Sequence, residues 1–254
     1  TLAMAFSMVA CGAKTEEAPA ATEEVVVETT EEAADAETEA TADAESAATA
    51  ETEDVKSEGV MTYEEYAAAE LDTEVVVETY VQAKQSWWED KATVYTQDKD
   101  GAYFLYELAC SEEDYAKLVP GTKIKVTGYK AEWSGEVEIV DGTFEILEGS
   151  YIAEAEDMTA LLASEELINH QNKFVAFKGM TVEASKDAEG NDVAFLYNWD
   201  GSGNEMSDSD LYFNVSLNGE TYNFVVEYYV CDANGAYGQD NPVYEAVRGL
   251  QIGD

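Results

Sequence analysis

The sequence predicts a mainly β protein: two small β-barrel units, each led by a short helix, behind a long acidic tether. Three observations predict it. From residue 61 onward, short stretches of alternating apolar and polar residues recur between turn signals, the period-2 pattern of half-buried strands. The opening pair Met61-Thr62 returns as Met158-Thr159, and a strand ending in cysteine occurs twice, at Cys110 and at Cys231. Residues 13–58, by contrast, hold 16 acidic residues, two lysines and no aromatic residue.

Ala, Thr and Glu fill residues 13–58, with Val25, Val26, Val27 and Val55 nearly the only large aliphatic side chains. Such a stretch cannot bury enough apolar surface to offset the entropy of ordering it, and repulsion between its carboxylates extends it. A disordered, mobile tether is therefore expected. Composition sets the boundaries: an apolar leader at 1–11, the acidic linker at 12–58, a first β unit at 59–150 and a second at 151–254.

In the first unit, Thr62 is placed to cap a helix, with Glu65 reaching back and Tyr63, Tyr66 and Ala67 as its apolar stripe. A strand follows with Val75, Val77, Thr79, Val81 and Ala83 on one face and Glu78, Gln82 and Lys84 on the other. Beyond Trp87-Trp88, the runs Ala92–Gln97 and Ala102–Ala109 flank Asp98-Lys99-Asp100-Gly101 and read as a hairpin, its Asp-Gly supplying a positive φ. Ser111 caps a short helix to Leu118 with Glu112, Glu113 and Asp114 at its positive end, and Pro120-Gly121 stops it. Two further strands are expected, Thr122–Tyr129 with Ile124 and Val126 inward and Lys123 and Lys125 outward, and Glu136–Leu147 after a loop carrying Trp133. Three strands, a helix and two strands is the order of an OB-fold barrel.

Residues 61–148 resemble OB-like domains of uncharacterised Gram-positive-type bacterial lipoproteins, chiefly through the run PGTKIKVTGYKAEWSGEVEIV at 120–140. The resemblance implies a barrel and brings no known activity. The second unit repeats the plan, with a helix through Ile168, a strand at Lys173–Ala184, and an Asn218-Gly219 hairpin between Leu211–Leu217 and Thr221–Val230. Phe104–Cys110 is echoed by Val225–Cys231. It differs by an extra strand near Val193–Trp199 and an acidic loop, Asp200–Asp210. Val243–Gly249 takes the place of Tyr115–Gly121, after which a full barrel needs two more strands; the second unit is thus expected to be incomplete at Asp254, with the gene running on.

Residues 1–10, TLAMAFSMVA, are small and apolar and stop at Cys11, like the latter half of a secretion signal, and are too short for the roughly 20 residues that span a bilayer. Met8-Val9-Ala10-Cys11 resembles the lipobox of bacterial lipoproteins, Met8 standing where leucine is usual. That resemblance implies a diacylglycerol on the Cys11 thiol, removal of the preceding segment as a signal peptide, and location on the extracytoplasmic face of the cell membrane. The alternative is a plain signal, or a buried apolar segment with a chance cysteine.

A net charge of −42 opposes phosphate backbones, whose affinity for proteins comes largely from cationic groups releasing counterions, so nucleic acid is excluded as a partner. Of the three cysteines, Cys110 and Cys231 are expected as buried free thiols. His170 is the only histidine, which leaves little material for a multi-histidine metal site or a histidine-assisted nucleophile, so no enzyme activity, catalytic residue or resident cofactor is expected. The loop 200–210 is rich in oxygen ligands, and Asp200, Asn204, Asp208 and Asp210 form a candidate Ca²⁺ set, although the central glycine and terminal glutamate of an EF-hand are missing. A solvated loop is the plainer reading.

In an OB barrel the loops after the first strand and between the last two flank the ligand face. Here they carry Trp87, Trp88 and Trp133, with Lys84 and Lys130 close by, and these five are the candidate ligand-binding residues. The rings either plug the barrel as core or stack on a ligand. The function expected is that of a non-enzymatic, membrane-anchored binding module for a glycan, a peptide or an envelope protein. A structural or assembly role in a cell-envelope complex is the alternative, and an extracytoplasmic hydrolase comes last.

Replacing Cys11 with Ser is expected to release the protein from the detergent phase on phase partitioning, or to leave an uncut precursor. Unchanged partitioning of that variant removes the lipid anchor.

Overall fold

A computed structural model describes residues 56–254; Cys11, its flanking leader and the linker as far as residue 55 lie outside the described residues. Of the described residues 42% are strand and 15% helix, so the expected mainly β class holds.

The first unit runs α1 (Tyr63–Ala68), β1 (Glu74–Lys84), β2 (Lys91–Gln97), β3 (Ala102–Ala109), α2 (Glu112–Tyr115), β4 (Thr122–Trp133) and β5 (Glu136–Ser150). The five strands close into one barrel in the order β1-β2-β3-β5-β4, the OB-like order. Closure is made by β1 pairing antiparallel with β4 from Glu74↔Tyr129 to Tyr80↔Lys123, and by a parallel contact of β3 with β5 at Phe104↔Glu138 and Leu105↔Ile139. Val75, Val77, Val81, Val94, Leu105, Leu108, Ile124, Val126 and Ile139 fill the interior, largely the inward set that alternation predicts. Gly128 and Gly142 face each other where β4 and β5 bend. A Cβ on Gly142 would sit 2.4 Å from Leu108 Cδ2, and one on Gly128 would sit 2.7 Å from Ile139 Cγ2.

The ends of the helices follow the sequence. Thr62 and Glu65 form the expected reciprocal cap, and Ser111 accepts a bond from Asp114 N. α2 is shorter than expected, ending at Tyr115 instead of Leu118. At the β2–β3 turn neither Asp100 nor Gly101 has positive φ. The Asp98 carboxylate organises this turn instead, accepting from Asp100 N at 2.8 Å and Gly101 N at 2.7 Å. Lys56 then caps the buried carboxylate at 2.7 Å.

Two polar residues expected on the outer face are covered. Glu78 is 1% exposed and pairs with Lys123 at 3.1 Å, across the β1–β4 seam. Burial works to raise the Glu78 carboxyl, but hydrogen bonds from Ser57 and the Lys123 ammonium outweigh it and hold it below the usual carboxylate value.

Residues 151–254 contain β6 (Glu156–Asp157), two 3₁₀ turns, β7 (Val175–Ala176), β8 (Thr181–Glu183), β9 (Ser185–Lys186), β10 (Asp192–Val193), β11 (Leu196–Tyr197), β12 (Leu211–Leu217), β13 (Glu220–Val226), a third 3₁₀ turn (Gly238–Asp240) and α3 (Pro242–Arg248). β12 pairs with β13 on one side and with β8 and β11 on the other. The succession β8, β12, β13, α3 matches β1, β2, β3, α2, with the β9–β10 hairpin, β11 and the acidic loop inserted after β8. A four-stranded sheet results, and the closed barrel of the first unit is not repeated among the described residues. The helix expected through Ile168 is a pair of 3₁₀ turns, Thr159–Leu161 and Glu165–His170. The strand expected at 173–184 is split into β7 and β8 by a turn at Gly179, where φ is +73°. Asn218 and Gly219 take the left-handed φ values of +55° and +88° that a two-residue hairpin demands. Gly253 N and Asp254 O both bond to Val182 of β8.

Glu136 and Glu138 stand above their usual values because of burial, and Glu136 also through Glu227. A raised carboxyl binds its proton more readily folded than unfolded, so stability rises as pH falls through that raised value toward the unfolded one. A lowered one, such as Glu78, loses its contribution as pH falls through its folded value. The melting temperature is therefore expected to rise as pH falls through the raised Glu136 and Glu138 values toward the ordinary glutamate value, and to drop at lower pH as Glu78 takes up its proton. A melting temperature that does not rise on acidification from neutral pH toward the ordinary glutamate value rejects this assignment, as does an E78Q variant whose acid limb is unchanged.

Candidate ligand cleft

The connection from β1 to β2 is built for display. Glu89 and Asp90 both take positive φ, +45° and +59°, and make a tight reversal closed by bonds between Trp88 and Lys91 in both directions. Neighbouring residues in extended chain face opposite ways. Trp87 accordingly turns inward and donates from Nε1 to Cys110 O at 2.9 Å, while Trp88 is 68% exposed. A bond from Cys110 N to Asp90 O ties this turn to the end of β3.

On β3 the register slips, so that Tyr106 and Glu107 together stand opposite Thr93. Glu107 has φ +51°, a left-handed conformation that costs a non-glycine residue about 1 kcal/mol. Such a bulge re-aims its side chains. Tyr106 is 43% exposed on the cleft wall, and Glu107 meets Lys91 at 2.6 Å.

The opposite wall comes from the second half of the chain. Tyr229 and Tyr237 lie there with ring centroids 5.9 Å apart, each 42% exposed. Tyr229 donates its hydroxyl to Asp208 Oδ2 at 2.9 Å, and that bond, with burial, pushes the phenol up to about 12. The cleft between the walls measures about 510 Å³ and is lined by Trp87, Trp88, Tyr106, Tyr229 and Tyr237 with Lys91, Glu107 and Asp208. That volume suits a small-molecule site.

The five residues singled out by sequence are distributed differently. Trp87 and Trp88 share the cleft. Trp133 does not line it: it ends β4 at the tip of the β4–β5 hairpin, 72% exposed, beside Ser134 and Gly135 in left-handed conformations. Gln171 brackets that tip, donating to Gly135 O and accepting from Val137 N, both at 2.9 Å. Lys130 is buried and gives its ammonium to the carbonyls of Tyr66, Ala67 and Ala69 at 3.0, 2.9 and 2.8 Å, closing the end of α1. Lys84 donates to Tyr115 O at 2.7 Å and sits 3.6 Å from the Tyr115 ring centroid; burial lowers its pKa. Cys110 and Cys231 are both free and buried, and burial pushes the Cys110 thiol up to about 11. Tyr106, Tyr229 and Tyr237 are the residues that sequence reasoning passed over; the echo between Phe104–Cys110 and Val225–Cys231 was the available signal for two of them.

The candidate Ca²⁺ set does not converge. Asp200 accepts from Ser202 N, Asn204 from Met206 N, Asp208 from Tyr229 and Asp210 from Tyr228 N, so each oxygen organises its own stretch of chain. No group of three or more histidine, cysteine or acidic side chains is placed to hold a metal ion among the described residues.

No family model and no curated protein sequence matches the chain. Among solved structures it is similar to a murine DNA-binding protein bound with double-stranded DNA, with a TM-score of 0.31, 9% identity, and coverage of 66% of this chain and 76% of that one. It is also similar to the Ifi202 HINa domain in complex with a 20-base-pair double-stranded DNA, with a TM-score of 0.30, 12% identity, and coverage of 61% and 74%. Both of those proteins are bound to DNA. The exclusion of nucleic acid, drawn from the net charge of the whole chain, does not stand. The physical reason is that a whole-chain charge is a sum, and 16 of the 55 acidic residues fall in residues 13–58, so it does not fix the potential at any one surface.

Removing an exposed ring costs little, whereas removing a half-buried, hydrogen-bonded one costs about 2–3 kcal/mol. Thermal melts are expected to show Trp133→Ala within about 1 kcal/mol of the parent and Trp87→Ala clearly below it. A loss at Trp133 equal to that at Trp87 places Trp133 in the core.

Proposed function

We propose that the protein is a non-enzymatic, extracytoplasmic binding module, held to the membrane by lipid on Cys11, that takes a neutral oligosaccharide in the aromatic cleft. The observation that carries this reading is the meeting of four exposed rings, Trp88, Tyr106, Tyr229 and Tyr237, around one cleft. Isolated exposed aromatics are ordinary on a protein surface, but a cluster with polar groups between its rings is a recognition feature.

The chemistry suits a sugar. Aromatic faces pack on the C–H faces of pyranose rings, and hydroxyls need donors and acceptors at the edges. Lys91 and Glu107 offer both and cancel each other's charge. Asp208 is already oriented by Tyr229. Ligand contact falls on the first connection of the barrel, where OB-type barrels bind oligosaccharides and oligonucleotides. The Met8-Val9-Ala10-Cys11 sequence supports the anchor.

Tryptophan fluorescence of the protein, titrated with cello-, xylo- and chito-oligosaccharides, is expected to respond to at least one series, and Trp88→Ala to weaken that response tenfold or more. A 20-base-pair DNA duplex is titrated in parallel. Response to the duplex alone, or to nothing, rejects the oligosaccharide reading.

A further inference from the structure

A second cavity, of about 640 Å³, is lined by residues of the barrel and of the second half and shares no lining residue with the aromatic cleft. Its wall is apolar: Ile152, Ala153, Phe174, Val225, Val226 and Val230. Three of these stay unusually open to solvent for their size, Ile152 at 62%, Phe174 at 53% and Val225 at 44%. Open apolar side chains gathered about one hollow are an unfavourable arrangement that a ligand relieves.

Two charged residues line this wall, Glu227 and Lys173. Glu227 Oε2 accepts from Tyr95 Oη at 2.5 Å and from Gln85 Nε2 at 2.9 Å, two neutral donors that fix the carboxylate and leave its charge uncancelled. Glu136 lies close enough that Glu227 helps to raise its carboxyl. Among the described residues neither Glu227 nor Lys173 belongs to an ion pair. Opposite charges in an otherwise apolar cavity, neither neutralised by the other, complement a ligand that brings one of each.

We infer that this cavity binds a small zwitterion with an apolar body, the chemistry of an apolar amino acid or a short apolar peptide. The ligand's ammonium meets Glu227, its carboxylate meets Lys173, and its side chain packs between Ile152, Phe174 and Val225. The Tyr95 and Gln85 bonds hold the Glu227 carboxylate in one orientation, so little ordering remains to be done on binding. This site is separate from the aromatic cleft and does not rest on the oligosaccharide reading.

Titration calorimetry on the protein with L-leucine and with Leu-Leu tests it, alongside N-acetyl-L-leucine, which lacks the ammonium, and L-leucinamide, which lacks the carboxylate. Binding of leucine or of the dipeptide is expected, the stronger of the two identifying the source. Each blocked analogue is expected to bind at least tenfold more weakly. Glu227→Gln should abolish the preference for leucine over N-acetyl-leucine. Lys173→Met, at a partly exposed position where folding is not at stake, should abolish the preference over leucinamide. Absence of heat with leucine and Leu-Leu overturns the inference, and so does equal binding of all four compounds. The oligosaccharide response is read separately by fluorescence, so either site can fail without the other.

Discussion

β1 does not stop where the barrel ends. Lys84, Gln85 and Ser86 run on beside Tyr229–Cys231, with Cys231 N bonded to Lys84 O and Ser86 N to Tyr229 O, each at 2.8 Å, around the Gln85↔Val230 bridge. Both cavities depend on this short antiparallel pairing. It sets Tyr229 in one cleft with Trp87 and Trp88, and it brings Glu227 onto Tyr95. Because backbone hydrogen bonds have obligate partners and fixed direction, the pairing positions side chains of both halves to within a strand's register.

The barrel supplies the rigid member of that contact. A closed sheet leaves no edge in the first unit, so its strands cannot slip without breaking several ladders together. The buried Glu78–Lys123 pair lies across the closing seam, where burial strengthens the attraction and makes a mispaired register costly. Rigidity here serves the cleft. The β3 bulge that turns Tyr106 and Glu107 outward is tolerated because the strands on either side hold it. The second half contributes the more open element, a sheet with β13 at one side and the Gly253–Asp254 contact at the other.

Lys130 and Lys84 show how sequence position misleads about function. Each lies near a tryptophan in the chain, yet each ammonium is used by backbone carbonyls, three for Lys130 and one for Lys84. A lysine under a covering helix is drawn to carbonyls at the helix end, since those groups lack partners within the helix and carry its negative dipole. The same economy governs the loop 200–210, whose acidic oxygens cap backbone N–H groups and a tyrosine hydroxyl in preference to converging on a cation.

The sequence by itself determined the mainly β class, the order of strands in the first unit, both helix caps there and the Asn218-Gly219 turn, because each rests on contacts within a few residues or on a period of two. It also singled out Trp87 and Trp88, through their place in a connection. Only the tertiary structure decided that residues 151–254 form a four-stranded sheet, that Trp133 stands apart from the other two tryptophans, and that Tyr106, Tyr229 and Tyr237 complete a cleft with them. Residues 106 and 229 are brought together by strand pairing across more than a hundred positions of chain, and no local pattern encodes such a meeting. The same holds for Glu227 with Tyr95: a glutamate in an exposed-looking strand reads as solvated until another strand is laid against it.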